Sequence, residues 1–185
     1  MDNSLSPVET KKELNYYEKF ILFFFIYAFI GWLLETIYCI YEMGYFTKRG
    51  FLFGPLCPIY GYGAVILLLF LQPVKNNMLK LFFTAAIVFT ILEYLVGYGL
   101  EALFLMNFWD YTGQFLNING RITLAFCVIW GLFAILFINY LHPVIEKFIN
   151  WLTSKLPSAI PSTIIKVLVA IFIVDTTLSV IKHLM

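Results

Sequence analysis

The chain has 185 residues, of which 62% are hydrophobic, 19% aromatic and 12% charged. A soluble domain carries about a quarter charged residues, so a soluble globular fold is excluded and a lipid bilayer is the expected solvent. The formal net charge of +1, with no arginine-rich run and no basic surface helix, removes nucleic acid from the expected partners.

Crossing about 30 Å of hydrocarbon takes roughly 20 apolar residues, and five stretches meet that length. Residues 1–19 precede them as a polar tail, expected to be a cytoplasmic extension and partly helical from Pro7. The first span, 20–41, holds one charge, Glu35. It is too long and starts too late for a cleaved signal peptide, so it is expected to stay in the chain. The second, 51–74, holds no charge, and the short connector 72–77 implies a tight antiparallel hairpin with the third. The third, 81–106, holds Glu93 and Glu101; the fourth, 122–141, holds none; the fifth, 160–181, holds Lys166 and Asp175. Between the last two, residues 142–160 space Ile145, Phe148, Ile149, Trp151 and Leu152 among polar residues, which suits an amphipathic helix in the interface. The expected fold is an all-α polytopic membrane protein with five transmembrane helices in a single transmembrane domain, 20–185.

Orientation follows from the cations. With five spans, eight of the twelve Lys and Arg residues share the side of the N-terminal tail, and Lys48, Arg49, Arg121 and Lys182 lie on the other. Cytoplasmic loops carry the excess, so the N-terminus is expected in the cytoplasm. The stretch "GYFTKRGFLFGPLCPIYGYG" at 44–63 then lies at the outer face. Gly54, Pro55 and Pro58 do not suit an uninterrupted helix, yet the segment is apolar from Phe51 onward. Non-helical backbone at membrane depth survives only where protein or water satisfies it, so a broken or re-entrant outer segment is expected before the second helix. Its free amides are candidates for binding an anion, and a tight turn packed on the first helix remains the alternative. The second outer loop, 107–121, supplies Trp109, Asp110 and Tyr111 with glycine turns, and is expected to fold as a lid.

Internal similarity links the two halves. "GWLLE" at 31–35 matches "GYGLE" at 97–101, and "CPIYG" at 57–61 matches "CVIWG" at 127–131, with Arg49 and Arg121 in corresponding loops. The offsets are 66 residues for the glutamates, 72 for the arginines and 70 for the cysteines. Helices 1–2 and 3–4 are accordingly expected to be parallel repeated hairpins about an axis along the membrane normal. Chance matching in so apolar a chain is the alternative.

A carboxylate at mid-membrane costs roughly 2.5–3.5 kcal/mol, so it faces a partner or a wet cavity. Glu35, Glu93 and Glu101 are such groups, with Glu93, Gly97 and Glu101 on one helical face. Arg49 and Arg121 are each expected to meet a glutamate or a bound anion. Trp32, Tyr60, Trp109 and Asp110 complete the candidate substrate-binding set around an outward-facing polar pocket; pairing that merely holds the hairpins together is the competing reading. Asp175, on the fifth span, needs an inward partner. Cys39, Cys57 and Cys127 show no metal or redox spacing, no catalytic nucleophile is recognisable, and no cofactor or metal is expected.

The block "FIGWLLETIYCIYEMGYFTKRGFLFGPLCPIYGYG", followed by "NFWDYTG" and "NINGRITLAFCVIWG", resembles the bacterial membrane-protein family catalogued as Putative ABC-transporter type IV, the CmpB-like permeases. The resemblance runs over residues 17–140 and leaves the last helix outside. It implies an integral membrane protein and a permease-like transporter component of the bacterial inner membrane, and it carries no established binding residues. Without a Walker A sequence, transport by such a chain requires a separate ATPase subunit. Expected partners are therefore membrane lipid, that ATPase subunit, and a small anionic or zwitterionic ligand or lipid headgroup, with a homo-oligomer open. A membrane enzyme acting on a lipid-linked substrate and a non-catalytic accessory subunit remain as alternatives.

Overall fold

The computed structural model describes residues 14–157 and 159–185, so most of the polar tail, with the helix expected from Pro7, lies outside the described residues. Helix α1, Tyr16–Met43, opens with a capping box: the Asn15 side chain accepts from the Glu18 amide and the Glu18 carboxylate accepts from the Asn15 amide. It closes on Gly44 at φ 76°, the left-handed stop that glycine tolerates best. Helix α2, Pro58–Ile66, begins where proline fits the first turn, and continues through a π-helical turn, Leu67–Leu71, and a 3₁₀ turn, Gln72–Val74. Helix α3, Met78–Phe104, is capped by Asn77. Helix α4, Leu124–Leu136, passes through a second π-helical turn, Phe137–Leu141, into α5, His142–Ser154, and α6 is Ala159–Leu184.

Among the described residues four helices are long and apolar enough to cross a membrane: Tyr16–Met43, Met78–Phe104, Leu124–Ser154 and Ala159–Leu184. The second of the five expected spans is a shorter apolar helix, Pro58–Val74, preceded by a non-helical segment as expected. The reason lies in the prolines. Gly54 precedes Pro55 and Cys57 precedes Pro58, and the residue before a proline is pushed out of the helical region; Cys57 sits at φ −111°, ψ 95°. Residues 51–57 are accordingly non-helical.

The π-helical turns share a cause. Each ends two residues before a proline, Pro73 or Pro143, whose ring would meet the carbonyl four residues earlier, and a widened turn absorbs that clash.

Helix α1 packs chiefly on α2, and α3 on α4. Close approach is possible because glycines face rings: a Cβ on Gly61 would lie 2.6 Å from Phe24, and one on Gly131 2.6 Å from Phe82. The two hairpins share one apolar core, including Phe23, Tyr27, Leu67, Leu71, Leu81, Phe89 and Phe137. At its edge the Tyr27 hydroxyl and His142 Nδ1 are 2.8 Å apart, which ties α1 to α5. Helix α6 is peripheral: 11% of its most apolar stretch is buried, against 39% for α1.

Candidate functional site

The candidate residues gather where α1 and α3 approach their C-terminal ends. On α1, the Glu35 carboxylate accepts from the Tyr60 hydroxyl at 2.7 Å through Oε1, and from Arg49 Nε at 3.3 Å and Nη2 at 3.2 Å through Oε2. Loop 44–57 makes this possible by carrying Arg49 back against α1, while Gly31 leaves room for the Tyr60 ring, which a Cβ there would meet at 2.3 Å. On α3, Glu93 is 8% exposed and accepts from the Tyr111 hydroxyl at 3.0 Å and from Trp130 Nε1 at 2.9 Å. The Glu35 carboxylate and the Tyr111 that serves Glu93 are near enough to interact electrostatically, which makes the two carboxylate centres neighbours.

Glu101, eight residues and about 12 Å further along α3 than Glu93, takes the other arginine. Arg121 Nε donates to Glu101 at 3.0 Å, Nη2 bonds the same oxygen, and the guanidinium lies over the rings of Tyr94 and Tyr98 at 5.5 and 5.4 Å. The hydrogen bond that Arg121 donates to Glu101 raises the Arg121 pKa further above the usual guanidinium range. Both arginines meet glutamates, one of the two partners expected for them.

Loop 105–123 is folded by its own bonds: the Tyr111 amide donates to the Gly120 carbonyl at 2.8 Å, the Ile118 amide to the Ile122 carbonyl at 3.0 Å, and the Thr123 hydroxyl to the Phe115 carbonyl at 2.9 Å. Trp109 Nε1 donates to the Arg121 carbonyl at 2.9 Å, so this tryptophan positions the loop and not a carboxylate. Asp110 accepts from the Thr112 amide at 2.8 Å, and its hydrogen bonds to Thr112 hold its carboxyl below the usual carboxylate range. Trp32 stacks on Phe29 and gives its carbonyl to the Thr36 hydroxyl. The structure thus joins Glu35 to Arg49 and Tyr60, Glu93 to Tyr111 and Trp130, and Glu101 to Arg121, while the hydrogen bonds of Trp32 and Asp110 go to Thr36 and Thr112 and not to these sets.

Two participants were not anticipated as donors. Trp130 stands inside the quoted "CVIWG", where its match to Tyr60 was the available signal; Tyr111 resembled an interfacial aromatic. The loop amides expected to be free are not. Phe53 N and Gly54 N each donate at 2.8 Å to the Asp175 carboxylate from α6, which also accepts from the Ser179 hydroxyl at 3.1 Å. That is the inward partner Asp175 needed.

No curated protein and no solved structure matches the chain significantly. A family model does, over residues 22–180, and so includes α6, which the motif blocks had left outside. With most of its length matched, four apolar helices of membrane-spanning size and its arginine-bearing loops in place, the chain belongs to the family described as Putative ABC-transporter type IV.

Proposed function

We propose that this chain is the permease-like component of a transporter in a bacterial cell membrane, with its N-terminus cytoplasmic and ATP hydrolysis supplied by a separate ATPase subunit. Helix 58–74 forms the second of five crossings, with loop 44–57 completing a path that its 17 residues, about 26 Å, leave short of the hydrocarbon thickness. Leu124–Ser154, 31 residues and about 46 Å, exceeds that thickness, and its α5 end, with Val144, Phe148 and Trp151 exposed, lies in the interface.

The hairpins α1–α2 and α3–α4 are copies in the same orientation. Their contacts support a register different from the one drawn from the glutamate motifs. Tyr60 and Trp130, 70 residues apart, donate to Glu35 and Glu93, which are 58 apart. Phe24 and Phe82, also 58 apart, face Gly61 and Gly131, and the π-helical turns begin at Leu67 and Phe137, 70 apart. In this register the partner of Glu35 is Glu93, and "FFIYAFIGWLLE" aligns with "FFTAAIVFTILE".

The shared centre takes the substrate, and the observation that carries this is Glu93. Among the described residues it is a buried carboxylate with two neutral donors and no cation. Such a charge is costly to keep in a bilayer, and it complements a cationic group or a proton. Arg49, 28% exposed at its side chain, belongs to the neighbouring Glu35 centre. Of the anionic, zwitterionic and lipid-headgroup ligands, a small zwitterion fits best, its amine toward Glu93 and its acid toward Arg49. The accessory-subunit reading is favoured by one fact: both arginines are already paired with glutamates.

Thermal unfolding in detergent against zwitterions, phosphorylated metabolites and lipids separates these readings. A ligand at a hundred times its Kd adds about 2.7 kcal/mol. A zwitterion that stabilises the wild type and fails on folded Glu93→Gln and Arg49→Ala establishes the permease centre. No stabilising compound, with both variants less stable, puts the accessory subunit first.

A further inference from the structure

A second feature lies apart from the Glu35–Glu93 centre, where loop 44–57 meets the C-terminal half of α6. Phe53 is half exposed, and both Lys48 Nζ and Lys182 Nζ lie over its ring, at 4.7 and 4.9 Å. Two ammonium groups far apart in sequence are thus brought to one ring, where cation–π attraction offsets part of their mutual repulsion. Among the described residues neither is in an ion pair. The carboxylate of this corner, Asp175, is taken up by the Phe53 and Gly54 amides and by Ser179, so it anchors the loop to α6 without neutralising either lysine.

Beside the ring an open groove of about 470 Å³ runs along α6, lined by Phe53, Ala170, Ile171, Val174, Asp175 and Leu178. Positions 170, 171, 174 and 178 fall on one helical face and extend about 12 Å along the axis. Hydrocarbon below and double positive charge above match an acyl chain beneath a phosphate. We propose that this corner binds an anionic phospholipid, with its headgroup phosphate at Lys48 and Lys182 and one acyl chain along the α6 stripe. A zwitterionic lipid presents the same phosphate but brings an amine that the lysines repel, so net headgroup charge is the selecting property. The bound lipid would clamp loop 44–57 onto α6, reinforcing the Asp175 anchor.

The test uses the full chain in neutral detergent with dioleoylphosphatidylglycerol or dioleoylphosphatidylcholine added to the micelles, read by lipid retention in native mass spectrometry and by the thermal unfolding midpoint. The phosphatidylglycerol is expected to be retained and to raise the midpoint, and the phosphatidylcholine to do neither. Lys48→Gln with Lys182→Gln is expected to weaken phosphatidylglycerol binding by roughly thirtyfold, from about 1 kcal/mol per lysine at an anionic headgroup, while leaving the lipid-free midpoint unchanged. Ile171→Trp, which fills the groove and leaves the lysines intact, is expected to lower retention as well. If the double variant fails to fold, the two single lysine variants, each with a smaller loss, decide instead. Equal retention of the two lipids, undiminished phosphatidylglycerol binding in the lysine variants, or a dimer that covers α6 and excludes both lipids would overturn the proposal.

Discussion

The hairpin α1–α2 and the hairpin α3–α4 solve one problem in two ways. Each holds a carboxylate inside the bundle and offers it an aromatic donor from the returning helix, Tyr60 in the first and Trp130 in the second. In the first hairpin Glu35 also receives the arginine, because loop 44–57 folds back far enough to deliver Arg49. In the second, loop 105–123 delivers Tyr111 to Glu93 instead, and Arg121 stops at Glu101, about 12 Å further along α3. One carboxylate does in the first hairpin what two do in the second. The division leaves Glu93 buried without a cation, and that asymmetry, more than the shared geometry, marks it as the group to test.

The largest effect is expected from removing Glu93. Glu93→Ala leaves the Tyr111 hydroxyl and Trp130 Nε1 without their acceptor, at about 1–3 kcal/mol for each buried donor, so a loss of about 2–6 kcal/mol is expected in reversible unfolding in detergent. Glu93→Gln keeps an acceptor oxygen and should lose clearly less. Glu35→Ala should fall below Glu93→Ala, because the Glu35 side chain is 30% exposed and its partners have easier access to water or headgroups. Equal losses at the two positions would erase the distinction between the hairpins.

The glycine contacts come next and test what the hairpins share. Gly61→Ala and Gly131→Ala each place a Cβ 2.6 Å from a phenylalanine ring, an overpacking expected to cost about 1–3 kcal/mol, and similarly in both hairpins. Gly99, on the same helix as Glu93, has nothing within 4 Å of its Cβ position. Gly99→Ala should therefore be neutral or slightly stabilising, by up to about 1 kcal/mol from helix propensity. A large difference between Gly61→Ala and Gly131→Ala would break the proposed duplication.

The membrane class, the carboxylates and both arginine partners are legible from composition and position, because charges in so apolar a chain are few and must find one another. The start of α2 at Pro58 is legible too, from prolines that forbid a helix before it. The proposed repeat register is not. "GWLLE" and "GYGLE" match at three of five positions, against five of twelve for "FFIYAFIGWLLE" and "FFTAAIVFTILE", so comparison by short motif favours Glu101 as the counterpart of Glu35. A shift of eight residues is two turns, which keeps the same side of the helix while moving the carboxylate about 12 Å along it. Axial depth is what packing reads and motif matching does not, and the ring facing each glycine is what supports the proposed register. Asp175 escaped for a related reason: its partners are backbone amides, which carry no residue-type signal.

That Asp175 contact gives a smaller and more local expectation. Asp175→Asn keeps an acceptor for one of the Phe53 and Gly54 amides but removes the charge, so amide exchange at 53 and 54 should rise while exchange within α3 stays unchanged. Exchange rising in α3 as well would mean that α6 supports the whole bundle and not just loop 44–57.

The smallest effects, and the sharpest comparison, come from the arginines. Partly exposed ion pairs contribute about 0–1 kcal/mol, so Arg49→Ala and Arg121→Ala alone should each cost little. Their coupling to the aromatic donors should differ. Arg49 and Tyr60 end on the same carboxylate, so losing one changes what the other is worth, and the pair Arg49→Ala with Tyr60→Phe should deviate from additivity by at least about 0.5 kcal/mol. Arg121 and Trp130 end on different glutamates, Glu101 and Glu93, so Arg121→Ala with Trp130→Phe should add to within about 0.3–0.5 kcal/mol. Coupling in both hairpins would mean that Glu93 and Glu101 act as one site despite their separation, and the division of roles between them would fall. Coupling in the first hairpin alone would tie the difference to where each arginine-bearing loop places its arginine, because the aromatic donor is common to both.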